Sequence, residues 1–403
     1  MSSTPLNPSA VFTRRHDLDW LRILAFGLLI FYHIGVFYTE ADWHAASAYQ
    51  TDVIEPFMWL SSPWRLPLLF FISGVAIRFL SDKLGSLSFG RDRVWRLFPV
   101  ILFGMYVIVA PQTYVEVTRT GQFSGGFLEF YRSYAGEWGG PWSVHTPTWN
   151  HLWYVVYLFV YSLLLVPFLP VLRWVADGKA MAALGRLLAR PIMGPILLIA
   201  LPVVPLLIYR LVLVPQFPTT HALFDDWANH ANSLTFLIYG YLIAKNRDMW
   251  AGVYRALPLT GAVTLIAMAG LFFSYMSWDR AVENEAWLWA ARIARVVYSW
   301  TIILTLAALA HKFLNRDGPA RRYLTEAIFP YYILHQTITV VAGQWLTGMA
   351  LGGPLEFALV TGITIGGCII GFELIRRIPP LRPVLGLKLR ADTRPTPHPQ
   401  AAE

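Results

Sequence analysis

The chain has 403 residues, of which 56% are hydrophobic and 15% aromatic but only 14% charged, against roughly 25% charged residues in an ordinary soluble protein. This excludes a disordered chain and argues against a soluble enzyme. A formal net charge of +8 would suggest nucleic acid as partner in a soluble protein; in a membrane protein the positions of Lys and Arg matter more than their sum.

A bilayer core about 30 Å thick takes roughly 20 apolar residues per helix. Ten such spans are predicted, at 18–39, 57–80, 94–113, 149–172, 192–214, 231–246, 256–277, 288–310, 325–347 and 353–376. The fold class is therefore all-α, a polytopic membrane protein with about ten transmembrane helices. The first stretch follows Arg14 and Arg15, and Ala46-Ser47-Ala48 resembles a cleavage site, but it is too long for a signal peptide and contains Arg22 and His33, so it reads as a retained helix. Residues 1–17 form a tail, 18–376 the membrane domain with an external loop at 114–148, and 377–403 a second tail rich in Pro and Arg, read as a disordered, lipid-facing strand. The external loop, with Gly125-Gly126, Gly139-Gly140-Pro141 and several tryptophans, reads as an ordered lid or loop and not as a separate domain. No internal repeat of the kind found in many transporters is visible.

With ten spans both termini lie on one side. The tails and the loops after even-numbered spans hold 23 Lys and Arg, whereas the opposite loops hold only Arg119, Arg132 and Arg280. The positive-inside rule then puts both termini in the cytoplasm, with lipid as an obligatory partner and no role for nucleic acid. The six remaining arginines, Arg22, Arg65, Arg78, Arg210, Arg292 and Arg295, fall within spans. Each is expensive in lipid and belongs in the interior or a wet cavity, unless it snorkels from a helix end, as Arg78 and Arg210 are placed to do. Cys368, the single cysteine, lies in the last span and allows no internal disulfide or cysteine metal cage.

In the first span Arg22 and His33 are eleven residues apart, which puts them on one helix face about 16 Å apart along the axis. Arg22 then lies near the inner surface and His33 nearer the outer one, where a neutral imidazole can take a proton from a hydroxyl or be a satisfied interior histidine.

These two residues carry a resemblance. Arg22, ten residues and then His33 in the first of ten spans is similar to the signature of acyltransferase family 3, integral-membrane acyltransferases that modify extracytoplasmic glycans and other acceptors. Phe70-Phe71-Ile72-Ser73-Gly74 resembles the family's apolar segment ending in Ser-Gly, His151-Leu152-Trp153-Tyr154 its His-Leu-Trp-aromatic motif, and Tyr331-Tyr332-Ile333-Leu334-His335 its late aromatic-Leu-His motif. Tyr32-His33-Ile34-Gly35 followed by Trp43-His44, with Pro63-Trp64-Arg65 ahead of the second span, looks most like the branch of periplasmic glucan succinyltransferases. The resemblance implies transfer of an acyl group from cytoplasmic acyl-CoA, succinyl-CoA or acetyl-CoA, to a hydroxyl of an extracytoplasmic glycan acceptor, with His33 near the acceptor.

Further residues take their reading beside that resemblance. Arg91, Arg93 and Arg96 end the loop between spans two and three; Arg93 and Arg96 share a face, match the family's arginine pair and suit the phosphates of CoA, although positive-inside topology alone would also put them there. Trp138, Trp142, Trp149 and Trp153, with His145 and His151, offer faces for a sugar ring or else an ordinary interfacial belt; His151 is the better candidate because it belongs to a motif. His335 can orient His33, contact the thioester or bond a tyrosine such as Tyr331. Arg292 and Arg295 share a face that could neutralise a succinyl carboxylate. Asp225-Asp226 and the group Asp279, Glu283 and Glu285 read as a solvated face. The histidines at 33, 44, 145, 151, 221, 230 and 335 show no zincin-like spacing, so no metal is expected.

Two function classes follow. In the first, an O-acyltransferase, His33 serves as general base or as nucleophile carrying a covalent acyl group. In the second, a glycan or lipid-linked-saccharide transporter or flippase, His33 and His335 relay protons.

Overall fold

The computed structural model describes residues 15–389. Ten principal helices lie where the sequence expects them: α1 (His16–Val36), α2 (Arg65–Leu84), α3 (Ser86–Phe103, continuing through a widened π turn at Gly104–Val109 to Arg119), α4 (Trp153–Leu165), α5 (Met193–Ile208, followed by a π turn at Tyr209–Leu213), α6 (Trp227–Ile243), α7 (Leu257–Met276), α8 (Glu285–Phe313), α9 (Pro319–Thr347) and α10 (Gly353–Ile375). No strand occurs among the described residues. In a bilayer every backbone polar group must bond within its own segment, which leaves helices as the solution for such a chain.

Eight helical segments are long and apolar enough to cross a membrane. The two that are not are α6, with 17 residues, and α9, whose 29 residues include Arg321, Arg322, Glu326, His335, Gln336 and Thr339. Ten helices thus coincide with the ten predicted spans, and eight of them have a spanning length and composition. The polarity of α9 has a reason: it packs between α1 and α10, with His335, Gln336 and Thr339 buried in protein, so these side chains meet other helices instead of lipid.

Close helix contact is set at small residues. Gly74 of α2 and Gly240 of α6 face each other's backbones: a Cβ on Gly74 would lie 1.8 Å from the Leu237 carbonyl oxygen, and one on Gly240 1.9 Å from that of Phe71. Small residues of this kind let helix backbones touch in a membrane. Gly74 of the predicted Ser-Gly segment therefore serves packing.

One end of the bundle gathers the basic loops. Arg78 pairs with Asp82 at 2.8 Å and Asp177 at 2.7 Å, and Asp82 also holds Arg173 and Lys245. Arg321, 2% exposed, joins Asp19 at 2.6 Å and Asp317 at 2.7 Å. Arg15 lies over the Trp250 ring and pairs with buried Asp17. Arg78 is thus an ion-paired interior residue, not a snorkelling one. Outside the membrane, Arg322 and Arg321 hold the Asp317 carboxyl below the usual carboxylate range.

Three expectations are corrected here. The second predicted span is broken: a short helix at Glu55–Ser61 precedes α2, and Pro63, which has no N–H to donate, lies in the break. The external loop begins later than residue 114, because α3 runs on to Arg119; its remainder holds a helix at Phe127–Gly136 packed through Tyr114, Phe123, Phe130, Tyr134 and Trp142. The tail does not leave the bundle at 377: Pro379–Leu385 forms a 3-10 turn, Leu385 is fully buried, and Arg382 bonds the Arg376 and Lys388 carbonyls and Glu326. Residues 1–14 and 390–403 lie outside the described residues.

Enlarging Gly74 tests the packing. Gly74→Val forces α2 and α6 apart, and overpacking costs typically 1–3 kcal/mol and sometimes more; the detergent-solubilised variant is expected to lose its folded peak at a markedly lower temperature in thermal size-exclusion chromatography, whereas Gly261→Ala, which has open space around it, is expected to leave the transition unchanged.

Candidate active site

At the end of the bundle opposite the basic loops a cavity of about 1070 Å³ opens among the ends of α1, α2, α5, α6 and α8 and the connecting segments at 37–62, 148–153 and 214–226. Such a volume takes a substrate larger than a typical drug-sized ligand. His33, half-buried, sits on its wall.

The bonding partners assign the tautomers. His335, fully buried, directs Nδ1 at the Tyr332 carbonyl oxygen at 2.6 Å. A carbonyl only accepts, so this nitrogen carries the hydrogen. In a neutral ring Nε2 of His335 is then an acceptor, and it faces Nδ1 of His33 at 2.7 Å. His33 therefore donates from Nδ1, which leaves the lone pair on its Nε2. His335 thus bonds both His33 and the backbone of a tyrosine, Tyr332, one residue on from Tyr331. The two rings are parallel within 11°.

A third histidine supports this pair. His151 donates from Nε2 to the Ile333 carbonyl at 3.1 Å, its own carbonyl accepts from Tyr332 Oη, and its ring meets His335 edge-on at 5.2 Å. Behind it lies a network that sequence reading missed. Gln112 donates from Nε2 to Thr337 at 2.7 Å and, through Oε1, accepts from Asn150 at 3.1 Å and Gln336 at 3.0 Å. Thr337 donates in turn to the Ile108 carbonyl. That carbonyl belongs to the π turn of α3, just ahead of Pro111, which cannot donate a helical hydrogen bond. Pro111 beside a long apolar run was the available signal, since π turns gather at functional sites.

The cavity wall is aromatic and cationic. Trp43 lies parallel to His33 at 6.3 Å, and His44 bonds Glu116 at 2.6 Å. Trp153 stacks on His221 at 4.4 Å, and burial pushes the His221 pKa down. Asp226, read from sequence as part of a solvated face, is instead fully buried: it accepts from Tyr157 Oη at 2.7 Å, the Thr220 and His221 amides and Asn229, so it straps the 220–222 segment over the cavity. Arg65, Arg210 and Arg295 all line the wall. Arg295 donates to Tyr275 Oη at 2.7 Å, and Arg210 Nε is buried with no hydrogen-bond partner.

The structure thus brings together His33, His151, His335, Trp43, His44, Arg65, Trp153 and Arg295. It separates others from them. Ser73 bonds Tyr154 Oη at 2.7 Å and Arg292 lies over the Trp289 ring, neither on the cavity wall. Arg22 reaches the Thr325 carbonyl and approaches Asp19. Arg93 and Arg96 both pair with Asp92, at 2.6 and 2.9 Å, while Arg91 is exposed. Trp142 packs within the external segment and Trp138 is exposed beside His145. Among the described residues no group of three or more His, Cys, Asp or Glu is arranged to hold a metal ion.

An imidazole at the wall of a large cavity, bonded to a second imidazole, is suited to general acid–base chemistry, and comparison with known proteins gives the class of enzyme. The acyltransferase-domain model of acyltransferase family 3 matches residues 15–373. The chain belongs to this family and is a multi-pass membrane enzyme that transfers acyl groups. It is also similar to glucans biosynthesis protein C of Escherichia coli O139:H28 (strain E24377A), 21% identical over 388 residues, and to that of Escherichia coli O81 (strain ED1a), 22% identical over 386 residues; each alignment covers 92% of this chain and 93% of the relative. No solved structure matches.

The paired histidines act as a unit, so their losses should not add. His33→Ala and His335→Ala are each expected to lower kcat for acyl transfer, by up to the 10²–10⁴-fold of general-base catalysis, and the double variant to be no slower than His33→Ala alone. Kinetics on the three purified proteins check this; multiplying losses would show that His335 acts apart from His33.

Proposed function

We propose that this enzyme is an inner-membrane O-acyltransferase that moves an acyl group from cytoplasmic acyl-CoA to a hydroxyl of an extracytoplasmic glucan. The observation that carries this reading is His33 on the cavity wall, its Nδ1 committed to His335 so that Nε2 keeps its lone pair. The glucan is taken from the relatives' name and length of alignment, and the aromatic faces of Trp43 and the Trp153–His221 stack support a sugar acceptor.

In the reaction, the acceptor oxygen attacks the thioester carbonyl carbon as His33 Nε2 takes the hydroxyl proton. The C–S bond then breaks, and the proton passes from His33 to the departing sulfur. His33 acts as general base; its tautomer also leaves the nucleophilic alternative chemically open, and trapping of labelled acyl-enzyme distinguishes the two. CoA carries several phosphate charges that hydrocarbon excludes, so its nucleotide end belongs at the basic, cytoplasmic end, where Arg93, Arg96 and Arg91 are its candidate partners and only the pantetheine arm enters the bundle. Asp92 already engages Arg93 and Arg96, so phosphate would share or displace that carboxylate.

The acyl group is proposed to be succinyl. Arg295 and Arg210 line the cavity with no carboxylate paired to either among the described residues, and a dicarboxylic acyl group supplies the missing negative charge. Arg210 replaces Arg292 in this role.

Mass spectrometry of periplasmic glucans from cells with the intact protein, without it, and with His33→Ala at matched membrane abundance tests the reaction. A mass increment present only with the intact protein is expected; unaltered acylation in the His33→Ala strain refutes the proposal, and glucans acylated normally but held in the wrong compartment would favour transport. Arg210→Met and Arg295→Met are each expected to lower kcat/KM for succinyl-CoA by about 10- to 150-fold relative to acetyl-CoA, the range of a charge-assisted hydrogen bond; equal losses for both donors would remove the carboxylate assignment.

A further inference from the structure

Arg65 is the first residue of α2, 7% exposed. Its guanidinium carbon lies 3.2 Å from the centroid of the Tyr32 ring, and Nη1 reaches Ser61 Oγ at 3.4 Å. Nε is buried with no hydrogen-bond partner, and no carboxylate pairs with the side chain among the described residues. Holding a full positive charge inside a membrane protein without a counter-ion costs several kcal/mol, and ionisable residues kept there are typically functional.

The position of this charge relative to the base gives it a use. Tyr32 immediately precedes His33 on α1, its ring meets the imidazole edge-on at 5.7 Å, and Tyr32, His33 and Arg65 line the same cavity. The ring clamps the guanidinium beside the base by a cation–π contact. The approach to Arg65 is stiff as well: Ser299 Oγ donates to the Pro63 carbonyl at 2.6 Å, and Trp64 Nε1 to that of Leu60 at 2.9 Å. The charge is therefore fixed before any substrate arrives, which is the requirement for stabilising a transition state without reorganisation.

We infer that Arg65 is a catalytic residue whose guanidinium receives the negative charge that forms on the acyl carbonyl oxygen when the acceptor attacks at His33. The inference rests on the acyl-transfer reading above. As the oxygen–carbon bond forms, the carbonyl π electrons move onto oxygen beside Arg65; when they return, the C–S bond breaks and sulfur leaves with the proton held on His33. Arg65 changes no bond and no protonation state. Its work differs from that of Arg210 and Arg295, which would meet a charge already present on the donor, so removal of Arg65 weakens the transition state more than the bound ground state.

The test uses the full chain in lipid nanodiscs with an acyl-CoA donor and a glucan oligosaccharide acceptor, comparing Arg65→Met, Arg65→Lys and His33→Ala. Arg65→Met is expected to lower kcat about 10²- to 10³-fold, the loss typical of one oxyanion donor, with KM for the donor within threefold of the parent, and Arg65→Lys to recover at least tenfold of that kcat. A raised KM at unchanged kcat, or a Lys variant as slow as the Met variant, overturns the inference. Should Arg65→Met fail to accumulate, Arg65→Lys decides by itself: kcat lowered about tenfold at constant KM supports the role, and parental kcat overturns it. Normal turnover by His33→Ala would refute acyl transfer at this site altogether, whereas an inactive His33→Ala beside a fully active Arg65→Met refutes only the role of Arg65.

Discussion

A polar atom inside a membrane-embedded bundle must find its partner within the protein, and the site of this enzyme is organised by that constraint. His33 has one ring nitrogen free for chemistry because the other is committed to His335, which is itself committed to the Tyr332 carbonyl. Each link leaves the next nitrogen a single role. The same rule extends through His151 to Gln112, whose amide spends its donors and acceptor on Thr337, Asn150, Gln336 and the histidine. Water would let these groups rotate among partners; a dry interior holds them in one arrangement, and the His33 ring is oriented before any ligand binds.

The backbone defects of the bundle serve the same end. Proline prevents continuous helical bonding near residues 111 and 202–205, and π turns follow or precede at Gly104–Val109 and Tyr209–Leu213. The first provides the Ile108 carbonyl for Thr337, the Pro202 carbonyl accepts from Tyr239, and the second π turn carries Arg210 to the cavity. Away from the site the bundle is held by apolar packing and by glycine contacts such as Gly74 and Gly240, where backbones meet directly.

Cations divide into two populations with different physics. At the basic end Arg15, Arg78, Arg173, Lys245 and Arg321 are bound to Asp17, Asp82, Asp177, Asp19 and Asp317, so they lock loops to helices. At the cavity Arg65 lies over the Tyr32 ring and Arg295 donates to the Tyr275 hydroxyl, and among the described residues neither these two nor Arg210 pairs with a carboxylate. A structural ion pair is neutralised on folding; the cavity arginines keep their charge available for a ligand.

Hydrophobic runs and the interruptions between them sufficed to locate all ten helices, because a bilayer accepts so few solutions, and the asymmetric placement of Lys and Arg indicated which loops share an end. Short motifs were enough to single out His33, His151 and His335. What periodicity does not encode is which polar residues from distant helices meet. Gln112 and Asn150 look like ordinary polar punctuation, Asp226 looks like a solvent-facing neighbour of Asp225, and Arg292 and Arg295 look like an equivalent pair, although only Arg295 reaches the cavity. Similarly, a Pro- and Arg-rich ending reads as a loose tail until Arg382 and Leu385 find their pockets. The chain by itself determined the helices, the end of the bundle that gathers the basic loops and the motifs that carry His33, His151 and His335, all consequences of local hydropathy and local motif. Tertiary packing decided the tautomers, the strap at Asp226 and the separation of paired from unpaired arginines, because each depends on a hydrogen bond or ring contact between residues far apart in sequence.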